Sequence, residues 1–439
     1  MKPLTKFFIS LAAGGLSLAR AQIADTEPGT VANIPVNYTE AKTGAYTLPD
    51  PLKFADGSPV ADAKTWFQKR RPEIFKLIEE NQFGRAPGRP SALHFEVFDA
   101  GTPAFDGKAL RKQVTIYFTA SRTEHYVDVL LYLPPNATDP VPVLLQFGWG
   151  ANNLAVATSD TGVKVGRQWS PQEKKRLPAN PTAGPARGPG RNLNVMQTVE
   201  RGMALAVFNY TDIDPDALDA TAQGIRAAYL KPGETQPAAD EWGSIAAWGW
   251  GASRIIDYLE TDPKIDAKRI AISGVSRLGK TVLWTAARDE RVACVIASCS
   301  GEGGAALSRR DYGETVAHLV APTRFPYQFA RNYQTWAGKM NEAPFDAHLL
   351  VALIAPRPVL LQTGTTDKWS DPYGEYLAAK AATPVFELLG KKGLETKQMP
   401  RVGELAGNTL SYYMHEGGHG TIPSDAEIFA KFLEAQLKP

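Results

Sequence analysis

Five short apolar runs, at 143–147, 204–208, 269–273, 292–297 and 358–362, punctuate the middle of the chain, each bounded by turn or charged residues. Runs of this length without polar alternation suit strands covered on both faces, the habit of parallel strands lying between layers of helix. The segments between them are longer and have helical periodicity, clearest at 242–259 and 280–287, so strand and helix alternate. Upstream the pattern differs: 94–98, 113–118 and 127–133 are extended runs separated by turn residues, which predicts an antiparallel start to the sheet. A strand-like run at 410–414 and a last helix close the chain. The expected fold is α/β, a three-layer sandwich with a mostly parallel central sheet and helices on both faces.

Three segments fall outside this rhythm. Residues 1–21 carry Lys2 and Lys6, an apolar run from Phe7 to Ala19, and small residues around Ala21. About 13 apolar residues are too few to cross a bilayer, which takes about 20, and match a secretory signal peptide cleaved near Ala21. The protein is therefore expected outside the cytoplasm, in the periplasm or beyond, with no membrane span. Residues 22–60, rich in Pro, Thr and Asp, read as an irregular arm over a single catalytic domain at 61–439, and the Pro-, Gly- and Arg-rich stretch 152–195 reads as a surface loop beside the site.

Composition narrows the partners. Among 439 residues, 48 basic side chains stand against 46 acidic ones and are interleaved with them, so no basic stripe offers itself to nucleic acid. The two cysteines, Cys294 and Cys299, lie five apart on a strand-like run, where side chains point to opposite faces at a separation of roughly 17 Å, too far for a disulfide. They are expected as free thiols.

The chemistry concentrates after the run 269–273. There Gly274-Val275-Ser276-Arg277-Leu278-Gly279-Lys280 leads from strand to helix, the setting in which a sharp turn lifts a serine hydroxyl clear of a sheet edge. A nucleophilic serine needs a base, and the base needs an acceptor that fixes its tautomer. Of six histidines, His419 lies in the glycine-rich loop Glu416–Gly420 before the last helix, whereas His415 belongs to a strand end and His318 and His348 fall in helical-looking stretches. For the acid, the run 358–362 ends in Gly364-Thr365-Thr366-Asp367, at the carboxyl edge where sites of open α/β sheets assemble. Asp371 and Glu302 are the alternatives. The order Ser276, Asp367, His419 is that of the α/β-hydrolases.

From about Asp240 to His419 the chain resembles the glucuronoyl esterases, carbohydrate esterase family 15. The likeness rests on Trp242-Gly-Ser-Ile-Ala-Ala-Trp248-Gly-Trp250, on Ser276-Arg-Leu-Gly-Lys280, on Gly303-Gly-Ala-Ala-Leu307, on Gly313-Glu314, on Ala352-Leu-Ile-Ala-Pro-Arg-Pro358 and on Asp367-Lys-Trp369. The resemblance implies an α/β-hydrolase that cleaves esters joining 4-O-methyl-glucuronic acid branches of xylan to lignin alcohols. It also implies that neither cofactor nor metal is needed, and the chain is expected to be a monomer. It implies Ser276 as nucleophile, His419 as base, Arg277 as an oxyanion donor, and Lys280, Glu314 and Trp369 around the sugar. An acetyl-xylan or feruloyl esterase on the same fold, or an inactive carbohydrate-binding relative, are the other readings. Three positions depart from the pattern: Cys299 where many members carry a glutamate, Val275 where His or Cys is common, and Gln328 where an aromatic is expected. The first leaves Asp367 as the acid, and the other two are expected to line the cleft.

Overall fold

The computed structural model describes residue 23 and residues 25–156, 160–179 and 193–437. The leader thus lies outside the described residues, as does part of the 152–195 stretch. A ten-stranded sheet runs through the molecule. In chain order its strands are β1 His94–Ala104, β2 Ala109–Tyr117, β3 Tyr126–Leu133, β4 Val141–Gly148, β5 Ala204–Asn209, β6 Ile265–Val275, β7 Val292–Ser298, β8 Val359–Gly364, β9 Ala406–Gly407 and β10 Leu410–His415. Across the sheet they lie in the order β9-β10-β8-β7-β6-β4-β5-β3-β2-β1. The pairs β5/β4, β4/β6, β6/β7, β7/β8 and β8/β10 are parallel, while β1, β2, β3 and β5 pair antiparallel in succession. All five apolar runs are parallel strands, and the antiparallel start is where the upstream alternation placed it.

Alternate side chains of each parallel strand enter opposite layers. Ile270, Ile272, Val295, Ala297, Val359 and Leu361 join the large core under helices α1 Ser244–Leu259, α2 Arg277–Arg288 and α3 Pro372–Leu388. Ala271, Cys294, Ile296 and Leu360 face the other way, against Phe432, Leu433 and Leu437 of helix α4 Asp425–Leu437. No helix among the described residues is long and apolar enough to cross a membrane. Both cysteines are free and buried.

Helix α2, which starts at the serine turn, is held by aromatic stacking. Trp284, 1% exposed, lies between Phe75 and Phe83 with ring centroids at 5.1 and 4.7 Å and near-parallel planes.

The two irregular segments have more structure than their composition suggested. The arm forms a small hairpin, Gly29–Val31 with Ile34–Val36, and is tied down by ion pairs and carbonyl contacts. The 152–195 stretch is not only a loop. It contains an antiparallel hairpin, Arg167–Ser170 with Lys175–Pro178, and Arg176 fastens that hairpin by donating to the carbonyls of Gln223, Thr211 and Asp212. Val156, Val163 and Val195 pack on the outer sheet face against Leu130, Tyr132, Leu205 and Val207. Its apolar residues find a core by borrowing one from the sheet.

Trp284→Ala is expected to destabilise the protein by about 3–5 kcal/mol, the range for removing a buried aromatic. A chemical denaturation midpoint unchanged from the parent would contradict the place given to this stack.

Candidate active site

The strand-to-helix turn is where backbone geometry departs most from habit. Ser276 has φ 61° and ψ −125°, a conformation costly for a residue with a Cβ, and it precedes α2 directly. Two glycines permit it. A Cβ on Gly274 would strike the Leu278 carbonyl, and one on Gly279 would lie 2.8 Å from the Ser298 carbonyl oxygen and 3.1 Å from Ser300 Cβ. The second glycine is therefore where α2 crosses β7, and its place three residues after the serine follows from that crossing. The Ser276 N–H donates to the Ser298 carbonyl at 2.8 Å, fixing the turn to the neighbouring strand.

Strands β8 and β10 bring the other two groups. Their parallel register sets Gly364 beside His415, so the loops that follow emerge side by side. His419 Nδ1 and Asp367 Oδ2 are 2.7 Å apart, with the His419 side chain 36% exposed and that of Asp367 3% exposed. Ser370 Oγ stands 3.2 Å from the same nitrogen. Ser276, Asp367 and His419 line one cleft, together with Arg277, Lys280, Glu314, Trp369, Cys299, Arg324, Phe325 and Gln328. All seven residues expected as catalytic, oxyanion or sugar-binding groups are in it.

The alternatives fall away on geometry. His415 is buried, with Nδ1 2.8 Å from Asp425 and Nε2 3.0 Å from the Gly418 carbonyl, so it pins the loop that carries His419. Glu302 bonds to Ser308 and Tyr333, and burial pushes its carboxyl up to about 8. Asp371 pairs with Arg310 and caps α3. His318 and His348 are structural as expected, the first in a capping box with Thr315 and the second 2.7 Å from the Pro49 carbonyl.

The remaining cleft residues are polar groups held by partners. Lys280 is buried and donates to the Ser300 carbonyl at 2.7 Å; burial lowers its pKa while the charge of Glu314 opposes the shift. Glu314 is held by Arg324 at 2.6 Å, and the Arg324 guanidinium also stands 5.1 Å from the Trp369 ring centre. Trp369 meets the His318 ring edge-on at 5.3 Å. The arm buttresses this wall: the Asn37 carbonyl accepts the Gly313 N–H at 2.9 Å, and Arg310 bridges Glu40 of the arm to Asp371.

Sequence reading missed Asp216, Arg324 and the contact of the arm with the site wall. Asp216 binds Arg277, Tyr210, Tyr327 and Gln328, and only its place between β5 and α1 could have drawn attention to it. Gln328 lines the cleft as expected, but Val275 does not. Its side chain borders a separate cavity on the α4 side, with Leu144, Ile422 and Phe429, because successive residues of β6 face opposite layers. Among the described residues, Cys299, Asp367 and His419 are the one group whose donor atoms approach closely enough to suggest a metal. Burial pushes the Cys299 thiol well up, with the charge of Asp367 adding to it, which keeps the sulfur protonated and makes it a poor ligand. Instead its sulfur accepts the Gly420 N–H at 3.3 Å.

A serine at a strained strand-to-helix turn, with a hydrogen-bonded histidine and aspartate from the next strands, defines a serine hydrolase of the α/β-hydrolase fold. Residues 189–390 match the sequence model of the fungal glucuronyl esterases. The carbohydrate esterase MZ0003, from an unknown prokaryotic organism, is 40% identical over 404 residues, spanning 91% of this chain and 92% of the relative. The solved glucuronoyl esterase from Solibacter usitatus is 42% identical with a TM-score of 0.86, covering 91% of this chain and 100% of that one. A structure described as a promiscuous CE15 esterase from a marine bacterial metagenome is 39% identical with a TM-score of 0.82, at the same coverage. The chain belongs to the glucuronoyl esterases of carbohydrate esterase family 15, and is a carboxylic ester hydrolase.

The His415–Asp425 pair yields a pH prediction. Burial alone would lower the histidine's pKa, but the hydrogen bonds to Asp425 and Gly418 and the charge of Asp425 outweigh it and raise the value. A raised folded pKa gives stability that is complete below the unfolded value near 6.5 and is lost as pH climbs through the folded value. Asp425→Asn should therefore lower the melting temperature most at mildly acidic pH, with the gap to the parent narrowing above neutrality. A gap that widens with pH would contradict the raised value.

Proposed function

We propose that the protein hydrolyses the ester between a 4-O-methyl-glucuronic acid branch of xylan and an alcohol of lignin, through an acyl-enzyme on Ser276. The observation that carries this reading is the His419–Asp367 pair at 2.7 Å in the cleft of the strained Ser276, beside a wall of Lys280, Glu314 and Trp369. Ser276 Oγ attacks the uronate carbonyl carbon while His419 Nε2 takes its proton. Asp367 accepts a hydrogen bond from the Nδ1–H, which leaves the Nε2 lone pair free and stabilises the imidazolium that forms. Negative charge gathers on the former carbonyl oxygen, where the Arg277 guanidinium and backbone amides meet it. As that intermediate collapses, His419 passes the proton to the departing alcohol. Water then repeats the sequence, and the uronic acid leaves with Ser276 restored.

The wall suits a sugar whose own carboxyl is the ester. Hydroxyl groups find a carboxylate in Glu314 and a cation in Lys280, and the ring finds an aromatic face in Trp369. A flat aromatic acid or a bare acetyl group has no use for these charges. Export after cleavage near Ala21, and a single catalytic domain from residue 61 crossed by the arm, belong to the same reading, supported by the apolar leader and by the arm's contacts with the loop that carries Glu314.

Asp367→Asn should lower kcat by orders of magnitude, approaching the roughly 10⁴-fold loss of the same change in a serine protease triad. Glu302→Gln, which mimics an acid already neutral at pH 7, should change kcat by less than about threefold. The reverse ranking would move the acid to the end of β7. On substrate class, initial rates on benzyl glucuronate, methyl galacturonate, p-nitrophenyl acetate and methyl ferulate should favour benzyl glucuronate by at least about tenfold, since polar sites reject analogues that leave their groups unpaired. Glu314→Ala should erode that preference and spare p-nitrophenyl acetate. Faster turnover of acetyl or feruloyl esters would overturn the sugar assignment and leave the triad standing.

A further inference from the structure

Arg277 follows Ser276 at once, yet an arginine side chain has several free torsions, and a donor that must be found by rotation is a poor stabiliser of a charge that exists only in the transition state. Asp216 removes that freedom. It lies in the irregular segment after β5, and its side chain is 10% exposed. Its Oδ2 takes Nη1 of Arg277 and the Tyr210 hydroxyl, the latter at 2.7 Å; its Oδ1 takes the Tyr327 hydroxyl at 2.7 Å and Nε2 of Gln328 at 2.8 Å. An ionised carboxylate offers about four lone-pair positions, and here each has a donor. The carboxylate therefore cannot swing, and neither can the guanidinium bonded to it.

The other side of Arg277 is closed by rings. Its guanidinium carbon stands 4.6 Å from the Phe325 ring centre and 5.9 Å from that of Trp149. Five N–H groups belong to a guanidinium, and no acceptor among the described residues other than Asp216 engages them. The remainder are free to serve the cleft that Arg277 shares with Ser276. Burial raises the pKa of both Tyr210 and Tyr327, and the Asp216 charge raises them further, so both stay protonated and donate.

We propose that Asp216 is a positioning residue for ester hydrolysis: saturated by Tyr210, Tyr327 and Gln328, it fixes the Arg277 guanidinium in the orientation that meets the oxyanion. This rests on the reading of Arg277 as an oxyanion donor. The role is indifferent to the acid portion of the substrate, because every ester forms the same oxyanion. Gln328, a departure from the family pattern, has its use here as the fourth donor.

The test compares Arg277→Gln, Asp216→Asn and the double variant in the full chain, with kcat and KM on benzyl glucuronate and p-nitrophenyl acetate. Rates are divided by the concentration of sites that a phosphonate probe titrates, which removes any loss due to misfolding. A lost oxyanion donor costs about 10²–10³-fold in kcat. Asp216→Asn should cost about 10- to 100-fold in kcat on both esters, with KM within about twofold, since the interaction exists in the transition state alone. In the Arg277→Gln background the same change should cost less than about threefold, as expected of two groups that act as one.

Full activity in Arg277→Gln would overturn the reading of Arg277. Loss in Arg277→Gln with parental kcat in Asp216→Asn would overturn the inference alone, as would an Asp216→Asn loss of the same factor in both backgrounds, the mark of independent structural support. If Asp216→Asn gives no titratable sites, Tyr327→Phe carries the comparison. It frees one lone pair of Oδ1 and should lower kcat about 3- to 10-fold in the parent and not in the Arg277→Gln background; an unchanged parental kcat would refute the proposal.

Discussion

The strained backbone at Ser276 is the constraint on which the rest of this structure turns. A residue with a Cβ at φ 61° is held there at a cost of about 1–3 kcal/mol, and it persists only if its surroundings leave no better choice. Those surroundings are rigid on every side. Strand β6 is hydrogen-bonded between β4 and β7, α2 sits against β7 with glycine at the closest approach, and Trp284 locks the helix between two stacked rings. Elements that cannot shift keep the turn sharp, and a sharp turn puts the serine in the cleft.

Parallel pairing then does for His419 and Asp367 what the turn does for Ser276. Strands β8 and β10 end together, and the loops beyond them need to travel only three and four residues to bring Asp367 and His419 within hydrogen-bonding distance. The loops are short but not self-supporting. His415 and Asp425 anchor one from below, Cys299 receives the Gly420 N–H, and Asp371 with Arg310 joins the other to the arm. Charged groups around the cleft follow one pattern, each with an assigned partner: Arg324 with Glu314, Asp216 with Arg277, Lys280 with a carbonyl. Fixed partners keep such groups from reorganising when charge develops in the reaction, which is the condition for electrostatic catalysis.

Cys299 shows how one substitution changes an architecture without undoing it. The residue sits at φ 45° just past β7, where the family pattern often has a glutamate, and its thiol cannot supply the negative charge of a carboxylate at neutral pH because burial holds it protonated. What it does is pack beside Asp367 and His419 and hold a backbone N–H. The carboxylate beside His419 comes instead from Asp367, in the loop after β8.

Several features were determined by the sequence alone. The five short apolar runs read as strands covered on both faces from their length and their spacing between helical segments, and Gly274-Val-Ser276 after one of them read as a turn that exposes its serine because a strand leads into it and a helix out of it. His419 could be told from His415 because a glycine-rich loop and a strand end make different demands on a side chain. Other features depended on the tertiary structure. Asp216 is 61 residues from Arg277 and 112 from Gln328, in a segment with no periodicity to mark it. The arm meets the Glu314 loop across more than 270 positions, and Val156, Val163 and Val195, from either side of the hairpin within 152–195, pack on a sheet face to which they contribute no strand. Val275 was misplaced for a similar reason, because strand alternation assigns its face but only the layers show which cavity that face meets. Local pattern follows from the dihedrals and burial of neighbouring residues, which the chain carries within itself. Contacts across the fold follow from strand order, and here that order runs β6-β4-β5-β3, a permutation that periodicity does not encode.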